Sequence, residues 1–399
     1  MAAVARVFGP GARYAIVPLL GAALVWITFR IARRVTGPAV ACLVALIAAC
    51  NPTFLFQIVQ PMSDVPVTAW WLAAVALLFG TSSTAALASG AAASFAILTR
   101  PNTVPLMLAV LLFVLLGPET RAQRITRAGL VAVGALAGVA VTGWANATFF
   151  GSALQSGYGP LAEIYHPSRM AGMGWRYVRE MWGTYTPLVF AAFVVWVRPV
   201  RRLAWTACAF LAILLISYGS YSVFDLRFLL PATALLTIVS AAAIAETVAA
   251  RCSVTAQAVL FAIAATLLPL GFVHRATHDD VFRLKEIFVR GFQRPAAEAR
   301  MRLPADAVIF TIIESGSLRY YGGYATVRFD WVPAAQLEGA VRYLEAHHHA
   351  AYFGSTADEL NEFRARFRDS PVVRDVASVP PSSVRDSTVF LPLGAASVR

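Results

Sequence analysis

The chain has 399 residues, of which 58% are hydrophobic and 14% are charged, a composition that excludes an ordinary soluble globular domain. The formal net charge is +12, but the excess lies in residues 1–274, which hold 17 arginines against six carboxylates. No basic stripe alternates with aromatic residues as nucleic-acid binding would require. The composition therefore predicts a membrane protein that does not bind nucleic acid.

Apolar segments in the first 274 residues set the predicted architecture. About 20 apolar residues are needed to cross the hydrocarbon core, and helices are the expected spanning form. The pattern predicts about ten transmembrane helices, over 13–33, 38–58, 65–80, 84–99, 104–118, 128–148, 184–198, 203–218, 228–249 and 255–273. The segments 65–80 and 84–99 are short, so they tilt little, re-enter, or form one packed pair.

The arginines predict the orientation of these helices. Three groups of arginines lie in alternate connections between the predicted helices, and alternate connections share one side of the membrane. The groups are Arg30, Arg33 and Arg34; Arg121, Arg124 and Arg127; and Arg198, Arg201 and Arg202. By the positive-inside rule that side is cytoplasmic. The N-terminus, the long loop 149–183 and everything after about residue 274 are then expected outside the cytoplasm.

The rest of the chain predicts a small extracytoplasmic domain. A charged junction over 275–302 has the pattern of an amphipathic helix at a lipid surface, or equally of a solvated linker helix. Residues 303–399 then alternate strand patterns (307–313, 325–329, 350–353 and 388–391) with helical ones (334–346 and 356–368). We therefore expect an α-helical polytopic membrane domain over 1–274, the junction, and an α/β domain over 303–399 with some parallel strands.

Carboxylates near a bilayer are costly and usually functional. Asp64 lies between two prolines at a predicted helix start, where it is equally consistent with a helix N-cap and with a site residue. Asp225 is two residues from Arg227, as either a structural ion pair or part of a ligand pocket.

The four cysteines lie in or beside apolar segments with no disulfide or metal spacing. The sequence identifies no cofactor and no metal site, and it leaves a need for divalent metal open.

Two further outward-facing stretches carry candidate ligand groups. Arg100, with Asn102 beside it, lies where the charge rule disfavours arginine; its guanidinium suits a phosphate, or it extends to lipid headgroups. The loop 149–183 is rich in aromatic and charged residues, among them Tyr158, Glu163, His166 and Arg169. Such residues stack on sugars and bond their hydroxyls, although an aromatic belt at the membrane interface has the same composition.

Four short motifs, in their order along the chain, resemble those of a known protein family. They are Pro-Met-Ser-Asp-Val-Pro (61–66), Leu-Thr-Arg-Pro-Asn (98–102), Phe-Gly-Ser (150–152) and Asp-Leu-Arg-Phe-Leu-Leu-Pro (225–231). This series resembles the type C (GT-C) membrane glycosyltransferases, and more narrowly bacterial relatives of aminoarabinose and protein mannosyl transferases. The resemblance covers nearly the whole chain. The first spanning helix and the acidic loop that supplies the catalytic base in the family have no counterpart here, so either the true start lies upstream or the chain is a remnant.

The resemblance implies transfer of a sugar from a polyprenyl-phosphate donor to a lipid, glycan or protein acceptor, on the extracytoplasmic face of a bacterial inner membrane. Arg100, Asn102 and Arg227 are then expected on the phosphate side, and Tyr158, His166 and Arg169 around the substrate. The catalytic group stays unassigned among Asp64, Asp225 and Glu163. The alternative is a non-catalytic lipid-linked-sugar binder or flippase. A secondary transporter fits the segment count but not the placement of the acids.

Overall fold

The structure is a computed structural model that describes residues 6–155, 165–194, 200–221, 223–278, 283, 286, 289–355, 357–373 and 389–394. The chain divides into two compact units, Met1–Val281 and Phe282–Arg399.

The described residues of the first unit fold mainly into helices, with one isolated β-bridge between Tyr165 and Tyr221. Its main helices are α1 Ile16–Val35, α2 Pro38–Cys50, α3 Pro52–Ile58, α4 Asp64–Leu77, α5 Ser83–Thr99, α6 Met107–Leu115, α7 Arg121–Phe150, α8 Met170–Tyr185, α9 Arg201–Gly219, α10 Leu230–Arg251 and α11 Val254–His278. Local sequence explains several of their boundaries. Proline begins α2 and α3, where its missing N–H costs no helical hydrogen bond. A capping box at Thr120 starts α7, and Gly151 ends it with a φ of 80°.

Five of the described helices are long and apolar enough to cross a bilayer, namely α1, α7, α9, the run Leu226–Arg251 that contains α10, and α11. A sixth span results if α2 and α3, bent by 60° at their junction, count as one. The helices α4 and α5 and the segment Pro101–Leu115 are apolar but shorter. Of the predicted span 184–198, residues 195–198 lie outside the described part of the chain. A multi-pass membrane protein is therefore confirmed, whereas the number of ten spans stays a prediction.

Helices α5 and α7 approach each other through small residues. A Cβ atom added to Gly138 of α7 would lie 2.7 Å from the Cα of Ser94 in α5. Gly90 of α5 and Gly134 of α7 face each other in the same way. The Ser94 hydroxyl donates to the carbonyl of Gly134, at 2.8 Å, and accepts from the amide of Gly138, at 2.8 Å. The Gly134–Gly138 pair thus serves packing within the unit, as small residues do between membrane helices.

Arginines at the start of α7 and α9 bond the carboxyl ends of the short helices. Arg127 donates to the carbonyl of Gly80, just after α4, at 2.5 Å, and forms an ion pair with Glu119. Arg124 donates to Leu115 O and Arg202 to Phe113 O, both at 2.5 Å. The connections predicted to share one side of the membrane therefore meet at one end of the unit, which we call the basic end.

The second unit is a small α/β layer. Helix α12 Arg294–Arg302 precedes the strands β1 Val308–Phe310, β2 Ala325–Val327, β3 Ala351–Ser355 and β4 Val389–Leu393; helix α13 Leu337–Ala346 lies between β2 and β3, and α14 Ala357–Phe367 between β3 and β4. The sheet order is β2-β1-β3-β4, with the first three strands parallel and β4 antiparallel to β3. Each strand overlaps a predicted run. A buried phenylalanine cluster, including Phe310, Phe329, Phe353, Phe363 and Phe367, forms its core.

Candidate functional site

Two aspartates and two arginines from three separate stretches of sequence meet in the first unit. Arg100 donates through Nη1 to Oδ1 of Asp64 and forms an ion pair with it. The Nε of Arg227 lies 3.1 Å from Oδ2 of Asp225 and 3.8 Å from Oδ2 of Asp64. These four residues are referred to below as the acid–arginine cluster. Three of the four short motifs, 61–66, 98–102 and 225–231, therefore meet in this cluster.

Helix boundaries bring the four side chains there. Asp64 is the first residue of α4, and its carboxylate pairs with Arg100 while the N-cap Ser63 makes no side-chain capping bond. Arg100 follows α5 in an extended conformation, which the next residue, Pro101, favours. Asp225 caps the short 3₁₀ turn Leu226–Leu229 by accepting the amide hydrogen of Arg227 at 3.0 Å. Each of these side chains thus lies where one apolar helix ends or the next one begins.

The two carboxylates differ in exposure. The Asp64 side chain is 4% exposed and lies between two guanidinium groups. The Asp225 side chain is 38% exposed, so it can reach a ligand. Desolvation still raises the pKa of Asp225, and the amide and guanidinium of Arg227 oppose this shift. Asp225 therefore retains its proton to a higher pH than an ordinary aspartate.

The guanidinium of Arg227 has hydrogen-bond donors that the described residues leave unused. Its Nη1 donates to the thioether sulfur of Met62 at 2.7 Å, a weak acceptor. Its Nε is buried beside the two carboxylates but makes no hydrogen bond of good geometry to either within the described structure. The two Nη groups therefore have capacity for oxygen acceptors, and phosphate oxygens match the planar fork of a guanidinium.

Aromatic rings hold both arginines in place. The guanidinium carbon of Arg100 lies 4.7 Å from the ring centre of Phe228 and 5.5 Å from that of Tyr218. That of Arg227 lies 5.3 Å from the ring of Phe228. The two rings are themselves stacked, with centroids 4.4 Å apart. Such cation–π contacts stabilise a partly buried positive charge without neutralising it.

The other predicted site residues lie at varying distances from this cluster. Asn102 is exposed in the 3₁₀ turn after Arg100 and lies near the Tyr218 hydroxyl, without a hydrogen bond of good geometry. The backbone amide of His166 donates to Ser220 O at 2.7 Å. Arg169 is exposed. In the described structure no ion pair or hydrogen bond links the His166 or Arg169 side chain to the cluster. Tyr158 and Glu163 lie outside the described residues.

Helix α8 adds groups that the motifs did not single out. The Tyr177 hydroxyl accepts the amide hydrogen of Asp225 at 3.4 Å, and its ring packs on Phe224 with centroids 4.6 Å apart. Arg176, the preceding residue, places its guanidinium carbon 4.0 Å from the same ring. Burial raises the pKa of Tyr177, so its hydroxyl stays protonated. The aromatic richness of the loop was the sequence signal for Tyr177, and nothing in it set Arg176 apart.

Among the described residues, no group of three His, Cys, Asp or Glu side chains is arranged to hold a metal ion.

Comparison with known proteins bears on both the sequence and the fold. A sequence model of the family described as dolichyl-phosphate-mannose-protein mannosyltransferase matches residues 1–144. The crystal structure of ArnT from Cupriavidus metallidurans in the apo state has the same fold, at 14% identity and a TM-score of 0.58. The predicted resemblance to the GT-C glycosyltransferases is confirmed.

The same ArnT bound to undecaprenyl phosphate matches at 13% identity and a TM-score of 0.56. Both matches cover 99% of this chain and 86% of the other. No curated protein matches the chain. At such low identity the likeness establishes the GT-C fold alone, and the acid–arginine cluster must be interpreted from its own chemistry.

Proposed function

We propose that the protein is a membrane glycosyltransferase that moves a sugar from a polyprenyl-phosphate donor to an acceptor on the extracytoplasmic face. The observation that carries this proposal is the guanidinium of Arg227, held between two aspartates with its Nη donors available for a phosphate. The GT-C fold supports it, because one ArnT structure with that fold is bound to undecaprenyl phosphate.

The arginines supply the electrostatics of the leaving group. When the bond between the sugar and the phosphate oxygen breaks, negative charge grows on the departing lipid phosphate. Arg227, with Arg100 beside it, stabilises this charge. Asp64, buried against Arg100 and near Arg227, fixes the orientation of both guanidinium groups. In this proposal Asp64 is a positioning residue.

Asp225 is the group we assign to the acceptor's proton. It is the more exposed carboxylate of the cluster, and burial raises its pKa towards the range in which a base works well. As the acceptor oxygen attacks the sugar carbon, its proton passes to Asp225 and the lipid phosphate leaves from the opposite face, with inversion. Glu163, Tyr158, His166 and Arg169 remain expected sugar- or acceptor-side groups on sequence grounds.

The proposed orientation rests on the basic end and the positive-inside rule. Arg124, Arg127 and Arg202 lie at the carboxyl ends of α4 and α6, whereas the acid–arginine cluster lies at the amino end of α4. A 14-residue helix separates the two. With the basic end in the cytoplasm, the cluster faces the outside of a bacterial inner membrane, and so does the C-terminal α/β unit.

Substitution of Arg227 tests the proposal. Arg227→Gln should lower the rate of sugar transfer by about 10²–10³-fold, the usual cost of one donor to a developing anion. Arg227→Lys should recover part of it, because the charge remains but the planar fork is lost. The measurement is transfer from a polyprenyl-phosphate sugar by the full chain in proteoliposomes.

Arg179→Gln is the matched control. Arg179 is exposed on α8 and pairs with its neighbour Glu180, so transfer should be unchanged. Full activity in Arg227→Gln would contradict the phosphate role. A different result would support the alternative, a lipid-linked-sugar binder or flippase. In that case the unaltered protein would bind the donor without transferring the sugar, and Arg227→Gln would lose the binding.

A further inference from the structure

A groove lies between α1 and the last turns of α4, away from the acid–arginine cluster. Its volume is about 270 Å³, and its walls include Trp26, Arg30 and Arg34 of α1 and Ala76 and Phe79 from the other side. Ala76 is 12 residues beyond Asp64 along α4, which at 1.5 Å per residue places the groove roughly 18 Å from the cluster. The groove is therefore a separate feature of the unit.

The lining of the groove combines an apolar wall with two cations. Trp26, Arg30 and Arg34 are spaced four residues apart, so they follow one face of α1. Both arginines are exposed, and within the described residues neither forms an ion pair. Trp26 is 59% exposed, and its ring lies 5.2 Å from the Arg30 guanidinium carbon. Every other lining residue is apolar.

The surrounding charge strengthens this positive site. The groove ends at Phe79, beside Gly80, whose carbonyl binds Arg127 at the basic end. Glu119 at this end forms an ion pair with Arg127. Among the described residues, no carboxylate lines the groove itself. Within the described structure Arg30 and Arg34 are thus positive charges without an ion-pair partner beside an apolar groove. Exposed tryptophan such as Trp26 is typical of a membrane interface.

We propose that this groove binds an anionic glycerophospholipid, with an acyl chain against Ala76 and Phe79 and the phosphate between Arg30 and Arg34. The apolar walls favour a lipid over a free anion, and the two guanidinium groups favour an anionic headgroup over a zwitterionic one. The distance from the cluster separates this lipid from the sugar donor. A bound lipid also fills the gap between α1 and α4, so it stabilises the folded protein by linkage.

The test compares two double variants of the full chain in detergent. Arg30→Gln with Arg34→Gln removes both groove cations, and Arg33→Gln with Arg121→Gln removes the same charge from exposed arginines outside the groove. Binding of phosphatidylglycerol and of phosphatidylcholine is measured by native mass spectrometry and by thermal shift. The groove variant should bind phosphatidylglycerol roughly ten- to thirtyfold more weakly, at about tenfold per 1.4 kcal/mol and about 1 kcal/mol per arginine. The control variant should bind as the unaltered protein does.

A third variant keeps the charge and closes the groove. Ala76→Leu should also weaken phosphatidylglycerol binding, because the larger side chain occupies the space of the acyl chain. Equal losses in both double variants would reduce the effect to general surface charge and overturn the proposal. It would also be overturned by phosphatidylcholine binding as tightly as phosphatidylglycerol, or by inorganic phosphate alone giving the full thermal shift.

Discussion

Asp64 and Asp225 belong to one cluster but have different surroundings, and the roles proposed for them differ for that reason. Asp64 is enclosed and faces two guanidinium groups. Its negative charge is committed to holding them, so removing it would leave buried positive charge without a partner, which is a large cost. Asp225 is more exposed, although partial burial still raises its pKa. In enzymes, two neighbouring carboxyl groups commonly take different catalytic roles because their surroundings shift their pKa values apart.

The pH dependence of transfer should report the titration of Asp225. A base must be deprotonated, so activity rises as pH rises through the pKa of Asp225. Because burial raises that pKa, the acid limb of kcat/KM should lie above the position expected for an ordinary aspartate. Asp225→Asn should lower kcat by about 10²–10⁴-fold and abolish the limb, whereas Asp225→Glu should retain it.

Glu180→Gln is the control for this profile, because Glu180 is paired with Arg179 outside the cluster. An unchanged acid limb in Asp225→Asn would assign the proton to another group and remove Asp225 from the chemistry.

The sequence identified the four members of the cluster but only part of their pairing. Asp225 and Arg227 are two residues apart, so their proximity was predictable. The Asp64–Arg100 pair spans 36 positions and depends on how α4 and α5 rotate against each other, which apolar periodicity does not determine. Arg176 was missed for the same reason. Its position over Phe224 depends on the packing of α8 and not on any local motif.

At the scale of elements, helix length decides which of the described helices can cross a bilayer alone. Helix α4 has 14 residues and α6 has nine, or about 21 Å and 14 Å, and neither alone crosses about 30 Å of hydrocarbon. The last carbonyl groups of a helix lack helical partners. Arg124 and Arg202 bond two of those of α6, and Arg127 bonds the carbonyl groups of Leu78 and Gly80 just after α4. The sequence explained these arginines by topology alone; the structure gives them a second role as C-terminal caps.

The close contact of α5 and α7 predicts opposite effects for two substitutions on one helix. Gly138→Ala should lower the free energy of unfolding by about 1–3 kcal/mol, because its Cβ would meet the backbone of Ser94 at 2.7 Å. Gly129→Ala, where a Cβ meets nothing within 4 Å, should leave stability equal or slightly higher, since alanine favours helix. Thermal unfolding of the purified protein in detergent compares them. Equal midpoints in both variants would show that Gly138 does not face α5 at this distance.

At the scale of the whole molecule, the basic end and the acid–arginine cluster lie at opposite ends of the first unit. The acid–arginine cluster lies at the amino end of α4 and at the carboxyl end of α5, and Arg127 binds backbone carbonyl groups just beyond the other end of α4. The sequence predicted this division, because alternate connections must share a side whatever the details of packing. It also predicted the strands of the second unit, since their buried runs are local signals. Which end faces the cytoplasm rests on the positive-inside rule.

Cysteine labelling in intact cells would determine that orientation. The four native cysteines, Cys42, Cys50, Cys208 and Cys252, are free thiols and are first replaced by serine. Single cysteines then go to three exposed positions, through Ala122→Cys at the basic end, Ser152→Cys after α7 and Asp369→Cys in the second unit.

A maleimide that does not cross membranes should label the cysteines at 152 and 369 in intact cells, and the one at 122 only after permeabilisation. This follows because α7, which separates the first two positions, is long enough to span the bilayer, and because its arginine-rich start is retained in the cytoplasm. The reverse pattern at 122 and 152 would place the cluster in the cytoplasm and end the proposal of an extracytoplasmic reaction. Protection at 369 alone would leave the cluster outside and move only the α/β unit, so the two conclusions are tested separately.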